Sequence, residues 1–562
     1  MEVLPLNYMK IIKLLNKNIL WLIILLAAII RVWNLDNIPP HLTPDEASLG
    51  YNAYSILKTG KDEYGKTLPL IFKSFGDYKP GLYIYTTVPF VAVLGLSEFS
   101  VRLPSAIFGV ISIYLIYLIA NRFFGKKFAI FTGFIGAFNP WLIYFSRGAW
   151  EVNLSLTLTL AGIYFFLKSL EKNKFLIISS LFFALTLLAY QGAKLSSGLV
   201  VVLLLIFYFK DLVKFPKKYL TQSLLLGLLI SSPIILSMFT GLTGRLEVFS
   251  VFSYPRPKEY IQSMLDEGKE KIGSLSYYLF HSEDLNFKRG IMGRWFNHFS
   301  GRFLFFEGDF SNLRHSAPYQ GMLLLSDLII LILGFFEIFK NKLKKEHLFF
   351  LFWLILAPLP AVLSRDQVHA VRSFNMAIPL IIICTFGLSG LITFINKNKY
   401  KVYFYSIVFL VYLVSITYFL DSYFVHVSAH NSKLWSYGYS QVVETITPIQ
   451  GNYKKIVVQQ SFAQPYIFFL FFQKYDPSKY QKNTSFVNSE YIGDVGYITK
   501  LDNIEFGPID WSINRGDRGT LFVADTLRIP PADSNDEKEF RLIKEIKYLN
   551  NRDTAFRIIE VK

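Results

Sequence analysis

The charged residues of this chain gather in short stretches between long apolar blocks, so chemistry has to be sought in those stretches. Pro39-Pro40-His41-Leu42-Thr43-Pro44-Asp45-Glu46-Ala47 sets two adjacent acids after two proline turns, at the start of a helical run over residues 47–57. A held carboxylate can act as a general base, given reach to the proton it removes. It can equally serve the helix, because acids are favoured in a first turn. Asp77-Tyr78-Lys79-Pro80-Gly81 then places a lysine before an apolar run, where it can meet a phosphate or snorkel to lipid headgroups. Ser146-Arg147-Gly148-Ala149-Trp150-Glu151 brings a cation and an acid to one turn, with a local i, i+4 ion pair as its simplest use. Gln191-Gly192-Ala193-Lys194 adds a cation at another turn. Ser364-Arg365-Asp366-Gln367-Val368-His369-Ala370-Val371-Arg372 sets Arg365, His369 and Arg372 at helical spacing, so that one face is cationic. Phe306-Glu307-Gly308-Asp309-Phe310, followed by Arg314-His315, offers Glu307 and Asp309 as a candidate acceptor or metal site. An acid-x-acid pair can hold a hard cation, but two acids do not define a metal site.

Two other chemistries are excluded. Gly60-Lys61-Asp62-Glu63-Tyr64-Gly65-Lys66-Thr67 fits the pattern of a nucleotide phosphate loop. That loop works only between a strand and a helix N-terminus. Here a polar helical run precedes it and Leu68-Pro69-Leu70 follows. The single cysteine, Cys384, rules out a disulfide framework and any cysteine-built zinc or iron–sulfur site.

The elements that must position these residues are mostly membrane helices. The chain has 562 residues, is 52% hydrophobic and 17% aromatic, and has a mean hydropathy of +0.36. That exceeds the apolar content of soluble domains and excludes a disordered chain, a collagen-like fibre and an ordinary cytosolic enzyme. The net charge of +17 reads as lysine-rich cytoplasmic loops rather than as nucleic-acid binding. Eleven blocks approach spanning length, near 14–33, 103–122, 128–145, 153–168, 175–190, 195–209, 219–239, 320–339, 348–363, 374–395 and 402–420. Lysine clusters before the first and after the second, fourth, sixth, eighth and tenth fall on alternate connections. The positive-inside rule then puts the N-terminus in the cytoplasm and the C-terminal tail outside. Residues 81–96 would reverse every later loop if they crossed. They are short and carry Pro89, so they are expected to lie at or dip into the outer interface. No small-residue cleavage site follows the first span, which reads as a retained helix.

The expected architecture is an α-helical polytopic membrane domain over 1–420, with long outer loops at 34–102 and 240–319, and a soluble α/β domain over 421–562. In that tail, strand-like runs (456–459, 519–523, 555–561) alternate with helical ones (440–446, 465–474). Acids and cations from several loops converge on one membrane face, while the spans carry almost no charge. Transporters more often set ionisable groups mid-span and show repeats. The contrast favours an enzyme acting at the outer interface on a lipid-linked substrate bearing a phosphate.

In order and spacing these pieces resemble the polytopic GT-C glycosyltransferases, in particular the family of protein O-mannosyltransferases and bacterial lipid A aminoarabinose transferases. The resemblance covers about residues 15–425. It rests on Pro44-Asp45-Glu46, Lys79-Pro80, Arg102-Leu103-Pro104-Ser105-Ala106, Arg122-Phe123-Phe124-Gly125, and Arg147 with Glu151. It implies transfer of a sugar from a polyprenyl phosphate, of undecaprenyl or dolichyl type, to an acceptor hydroxyl on the outer face with inversion. It also implies juxtamembrane helices in the first outer loop. The family's essential acid falls on Asp45, with Glu46 beside it, and its second acid falls on Glu151, where many members have aspartate. Its lysine falls on Lys79, and Gly81 stands where many members have a second proline. Asp45 is the expected base. Lys79 is the first phosphate-binding cation, with Arg147, Lys194, Arg365, His369 and Arg372 behind it. No metal or other cofactor is required. The expected partners are membrane lipid, the lipid-linked donor and a glycan, lipid or protein acceptor, in a plasma membrane. The competing readings are a glycan ligase or polymerase using a lipid diphosphate, a transporter of lipid-linked sugar, and a non-catalytic assembly subunit.

Overall fold

The computed structural model describes residues 6–239, 250–253, 257–340, 342–460, 464–483, 486–487 and 496–562, with the backbone alone for 6–17. In chain order come α1 (Leu6–Val32), α2 (Pro44–Thr59), the antiparallel hairpin β1–β2 (Ile71–Ser74 and Asp77–Pro80), α3 (Leu82–Leu94), α4 (Glu98–Phe124), α5 (Lys126–Phe138) and α6 (Pro140–Ser146). Then follow α7 (Glu151–Ser169), α8 (Phe175–Ala189), α9 (Ala193–Leu212) and α10 (Lys217–Ser237). Beyond Ser237 the apolar helices include Asp327–Phe339, Lys345–Leu356, Ala377–Asn396 and Lys401–Asp421.

Among the described residues, seven helices are long and apolar enough to cross a membrane, or eight if the bent pair α5–α6 is one span. Pro140 has no N–H to continue α5, and Asn139 caps the Leu142 N–H at 3.0 Å, so the chain restarts as α6 at 57°. Each of the eleven expected spans contains a helix, though in 320–339 only residues 327–339 are helical. Three of these are short: the described apolar part of α1 (Asn18–Val32), α8 and Asp327–Phe339. α3 has 13 residues with Pro89 inside, below spanning length. Where Asp327–Phe339 crosses Ala377–Asn396, a Cβ on Gly334 would lie 2.1 Å from the Ile383 carbonyl oxygen, and one on Gly387 would lie 2.0 Å from that of Ile330. Only glycine lets the two backbones pack so closely.

The tail carries a six-stranded mixed sheet in the order Lys500–Leu501, Ile504–Gly507, Ile456–Gln459, Leu521–Ala524, Thr554–Val561, Phe540–Lys547. Ile456–Gln459 lies at its centre, parallel to both neighbours and buried throughout. The tail does not stand apart from the first long loop. Leu49, Tyr51 and Ile56 of α2 share one core with Phe468, Phe469 and Phe471 of the tail helix Pro465–Phe472. The Tyr51 hydroxyl donates to the Tyr475 carbonyl at 3.1 Å, and the Ser440 N–H to His41 Nε2 at 3.1 Å.

Candidate functional site

The two acids that open α2 face different ways, because consecutive helical residues point about 100° apart. Glu46 is buried and fully engaged. Its carboxylate accepts the Thr43 N–H at 3.0 Å, the Ala149 N–H at 2.8 Å and Arg102 Nε at 3.1 Å. Thr43 Oγ1 in turn accepts the Glu46 N–H at 3.2 Å, which closes a capping box. Arg102, also buried, donates to the carbonyls of Leu35 (3.1 Å), Pro39 (2.9 Å) and His41 (2.6 Å). Glu46 and Arg102 therefore bind the connection before α2, the start of α4 and the turn before α7 into one unit.

Asp45 faces the other way. Its side chain is 50% exposed and forms an ion pair with Lys79 Nζ, whose side chain is 22% exposed. Lys79 stands on β2, paired across the hairpin with Phe72. Gly81 follows the hairpin because a Cβ there would come 2.3 Å from the Phe72 ring. Burial works against the charge on Lys79, but Asp45, Glu151 and Asp77 outweigh it and hold its pKa above the ordinary lysine value. Glu151 is the first residue of α7, and no hydrogen bond engages its carboxylate among the described residues. Glu151 and Arg372 both act electrostatically on Tyr190, in the turn between α8 and α9. Asp45, Asp77, Lys79, Glu151, Tyr190 and Arg372 thus form one electrostatically linked group, drawn from the first loop and three later connections. Arg372 is linked through Tyr190.

Several other expected residues stand elsewhere. The Arg147–Glu151 pair does not form. Arg147 is buried, donates to the carbonyls of Ile30 (2.6 Å), Trp33 (2.7 Å) and Ile38 (2.9 Å), and stacks 4.7 Å from the Phe424 ring. Its guanidinium is engaged by backbone carbonyls and an aromatic ring of the protein itself. Lys194 lies half-buried in the first turn of α9 and has no ion pair among the described residues. Residues 365–373 are turns, not a helix, so the expected cationic helix face is absent. Arg365 is exposed, Arg372 pairs with Asp366 at 3.3 Å, and His369 Nε2 lies 3.9 Å from the same carboxylate. Glu307 is paired with Arg302 at 2.6 Å, whereas Asp309 is wholly buried. Gly308, at φ +73°, turns the chain between them.

Asp309 helps hold the segment that carries Arg372. Its Oδ2 accepts the Ala370 N–H at 2.8 Å, His298 Nε2 accepts the His369 N–H at 3.1 Å, and Ser311 Oγ accepts the Val368 N–H at 3.2 Å. His315 Nδ1 lies 2.9 Å from Asp309 Oδ2. Burial lowers the pKa of His315, although Asp309 opposes it, and burial with Arg372 lowers that of His369 further.

Asp77 and Tyr190 were not among the expected site residues, and neither was Glu63. The stretch resembling a phosphate loop is a turn closed by Asp62, whose carboxylate accepts the Tyr64 and Lys66 N–H groups at 3.0 and 2.8 Å. Glu63, in that turn, is buried on Asn52 at 2.9 Å. Burial pushes its pKa up to about 8, against the Asn52 hydrogen bond and with help from Asp62.

Residues 79–236 match the family model described as dolichyl-phosphate-mannose-protein mannosyltransferase. No curated protein matches the chain in sequence. In structure the chain is similar to ArnT from Cupriavidus metallidurans in the apo state, with TM-score 0.53 and 13% identity over 97% of this chain and 98% of that one. It is similarly close to the same protein bound to undecaprenyl phosphate, with TM-score 0.53 and 12% identity over 96% and 97% of the two chains. A further match is the archaeal oligosaccharyltransferase AglB from Archaeoglobus fulgidus, with TM-score 0.47 and 13% identity over 81% and 64%. The chain therefore has the GT-C fold of ArnT over nearly its whole length, carries seven or eight helices long and apolar enough to cross a membrane among its described residues, and is similar to the mannosyltransferase family over residues 79–236.

Proposed function

We propose that this chain moves a sugar from a polyprenyl-phosphate donor to an acceptor hydroxyl at the outer face of a plasma membrane, in one inverting displacement. The observation that carries the reading is the Asp45–Lys79 pair, partly open to solvent, with Glu151 acting electrostatically on Lys79. A base and a phosphate-seeking cation stand within contact of each other. Support also comes from the mannosyltransferase family match and from the undecaprenyl phosphate held by the similar protein.

In this mechanism Asp45 takes the proton from the acceptor hydroxyl as its oxygen bonds to the anomeric carbon. The bond from that carbon to the donor's phosphate oxygen breaks, and polyprenyl phosphate leaves with the electron pair. A positioned base of this kind contributes typically about 10²–10⁴-fold. Negative charge grows on the departing phosphate, so cations there stabilise the transition state by roughly 2.7–4 kcal/mol each, by analogy with oxyanion-hole donors. Lys79 supplies the first such charge. When the donor phosphate draws it off Asp45, the carboxylate is released to act as base. Arg372 and Lys194 supply further charge, and Arg365 and His369 border the same segment. Glu151 orients the acceptor, and Glu46 positions α2 through Arg102. A lipid monophosphate leaves without a metal at this step.

The test is to supply the purified protein, in lipid nanodiscs, with synthetic polyprenyl-phosphate sugars and acceptor-containing membrane extract. Free polyprenyl phosphate is followed by mass spectrometry. Release with one donor supports the transfer and names the sugar. Absence of release with every monophosphate donor would move the reading to a ligase using a lipid diphosphate or to transport.

A further inference from the structure

Asp309, His315 and His369 offer one ligand atom each, and the three atoms all lie within 4.8 Å of one another. They come from two segments that are distant in sequence. Asp309 and His315 flank a tight turn, and His369 sits on the segment leading to Arg372. We propose that the three hold a divalent transition-metal ion, for which Zn²⁺ is the best match, and that the ion ties these two segments together.

The donor set suits that chemistry. Two imidazoles and a carboxylate are a common three-residue zinc set, with the fourth position left to water. Bonds of about 2.0–2.2 Å at tetrahedral angles place ligand atoms about 3.3 Å apart, so a modest closing of the group accommodates the ion. The donors are also held in advance. Asp309 Oδ1 accepts the Asn312 N–H at 2.9 Å and Oδ2 accepts the Ala370 N–H at 2.8 Å. The backbone of His369 is fixed by His298. Such outer hydrogen bonds orient a metal-binding carboxylate. The rings of His315 and His369 are 5.0 Å apart between centroids. Asp309 is fully buried and His315 nearly so, which is the setting where a carboxylate and an imidazole gain most from a shared cation. Glu307 is excluded by its pair with Arg302. The Arg314 and Arg372 charges oppose a cation here, the latter offset by its pair with Asp366, which lies 3.9 Å from His369 Nε2.

Metal binding is measurable without any sugar transfer, so its failure and the failure of the transferase reading are separable. The full-length protein is stripped with chelator and dialysed against micromolar Zn²⁺. Bound metal is counted by mass spectrometry, and Co²⁺ replaces Zn²⁺ for a visible spectrum. The expected result is one metal per chain with a tetrahedral Co²⁺ spectrum. His369→Gln, a change at the partly exposed edge of the group, should weaken affinity by roughly tenfold or more. Glu307→Gln should keep the full complement. A wild-type chain that retains no Zn²⁺ after dialysis would overturn the proposal and leave the three residues as a hydrogen-bonded packing cluster. Equal retention by wild type and a His315→Ala/His369→Gln double variant would overturn it as well.

Discussion

At the scale of the residue, a single step along α2 separates chemistry from architecture. Glu46→Gln leaves the buried Arg102 guanidinium without its carboxylate. Breaking one side of a buried pair costs about 3–5 kcal/mol, so this variant should lose that much in thermal or denaturant unfolding. Asp45→Asn, on a half-exposed side chain, should unfold like wild type, which the same measurement checks. Glu63 gives a pH signature. Its folded pKa, about 8, stands above its unfolded value near the ordinary glutamate range. The fold therefore favours the protonated acid, and that contribution is full below about pH 4.3 and is lost as pH rises through about 8. Glu63→Gln should accordingly match wild type in melting temperature near pH 5 and exceed it near pH 8.5. Asp45, Lys79 and Glu151 were legible as charges interrupting apolar sequence. The uses of Glu46 and Arg147 were not, because their partners include loop backbone N–H and carbonyl groups, which every sequence has and no motif marks. Tyr190 was missed because a tyrosine at a span end reads as an interfacial anchor.

At the scale of the element, the β1–β2 hairpin sets where Lys79 stands. Gly81 lies against Phe72 where the resembling family often carries proline. Gly81→Ala forces the ring or the hairpin to shift. It should cost roughly 1–3 kcal/mol, as overpacking does, and lower transfer in parallel, read from unfolding and turnover on the same preparation. The helices were legible because hydropathy and length mark them, and the adjacent acids announced α2, although it opens at Pro44, three residues before the expected run. Residues 365–373 were misread. Arg365, His369 and Arg372 have helical spacing, yet the N–H groups of Val368, His369 and Ala370 go to Ser311, His298 and Asp309 instead of to carbonyls one turn back. Those partners lie 57 to 71 residues away in the sequence, and spacing within the segment carries no sign of them.

At the scale of the whole molecule, the tail and the first loop share a core, which the division at residue 420 did not anticipate. Alternating apolar runs announced strands and helices in the tail, but the buried face of Pro465–Phe472 had no visible partner in sequence. Phe471 presses against Gly50 of α2, so Phe471→Ala should cost about 3–5 kcal/mol and lower transfer through the helix that carries Asp45. Unfolding and turnover measured together check it. Orientation is tested with Lys399→Cys and Lys544→Cys, since the one native cysteine, Cys384, is buried. In intact cells an impermeant thiol reagent should label position 544 and spare 399. The central claim is that Asp45 is the base of a lipid-linked sugar transfer. It is tested most directly by following polyprenyl phosphate release from wild type and Asp45→Asn, side by side, at matched melting temperature. The expected result is release by wild type and a loss of about 10²–10⁴-fold in the variant. Equal release by the two proteins would contradict it.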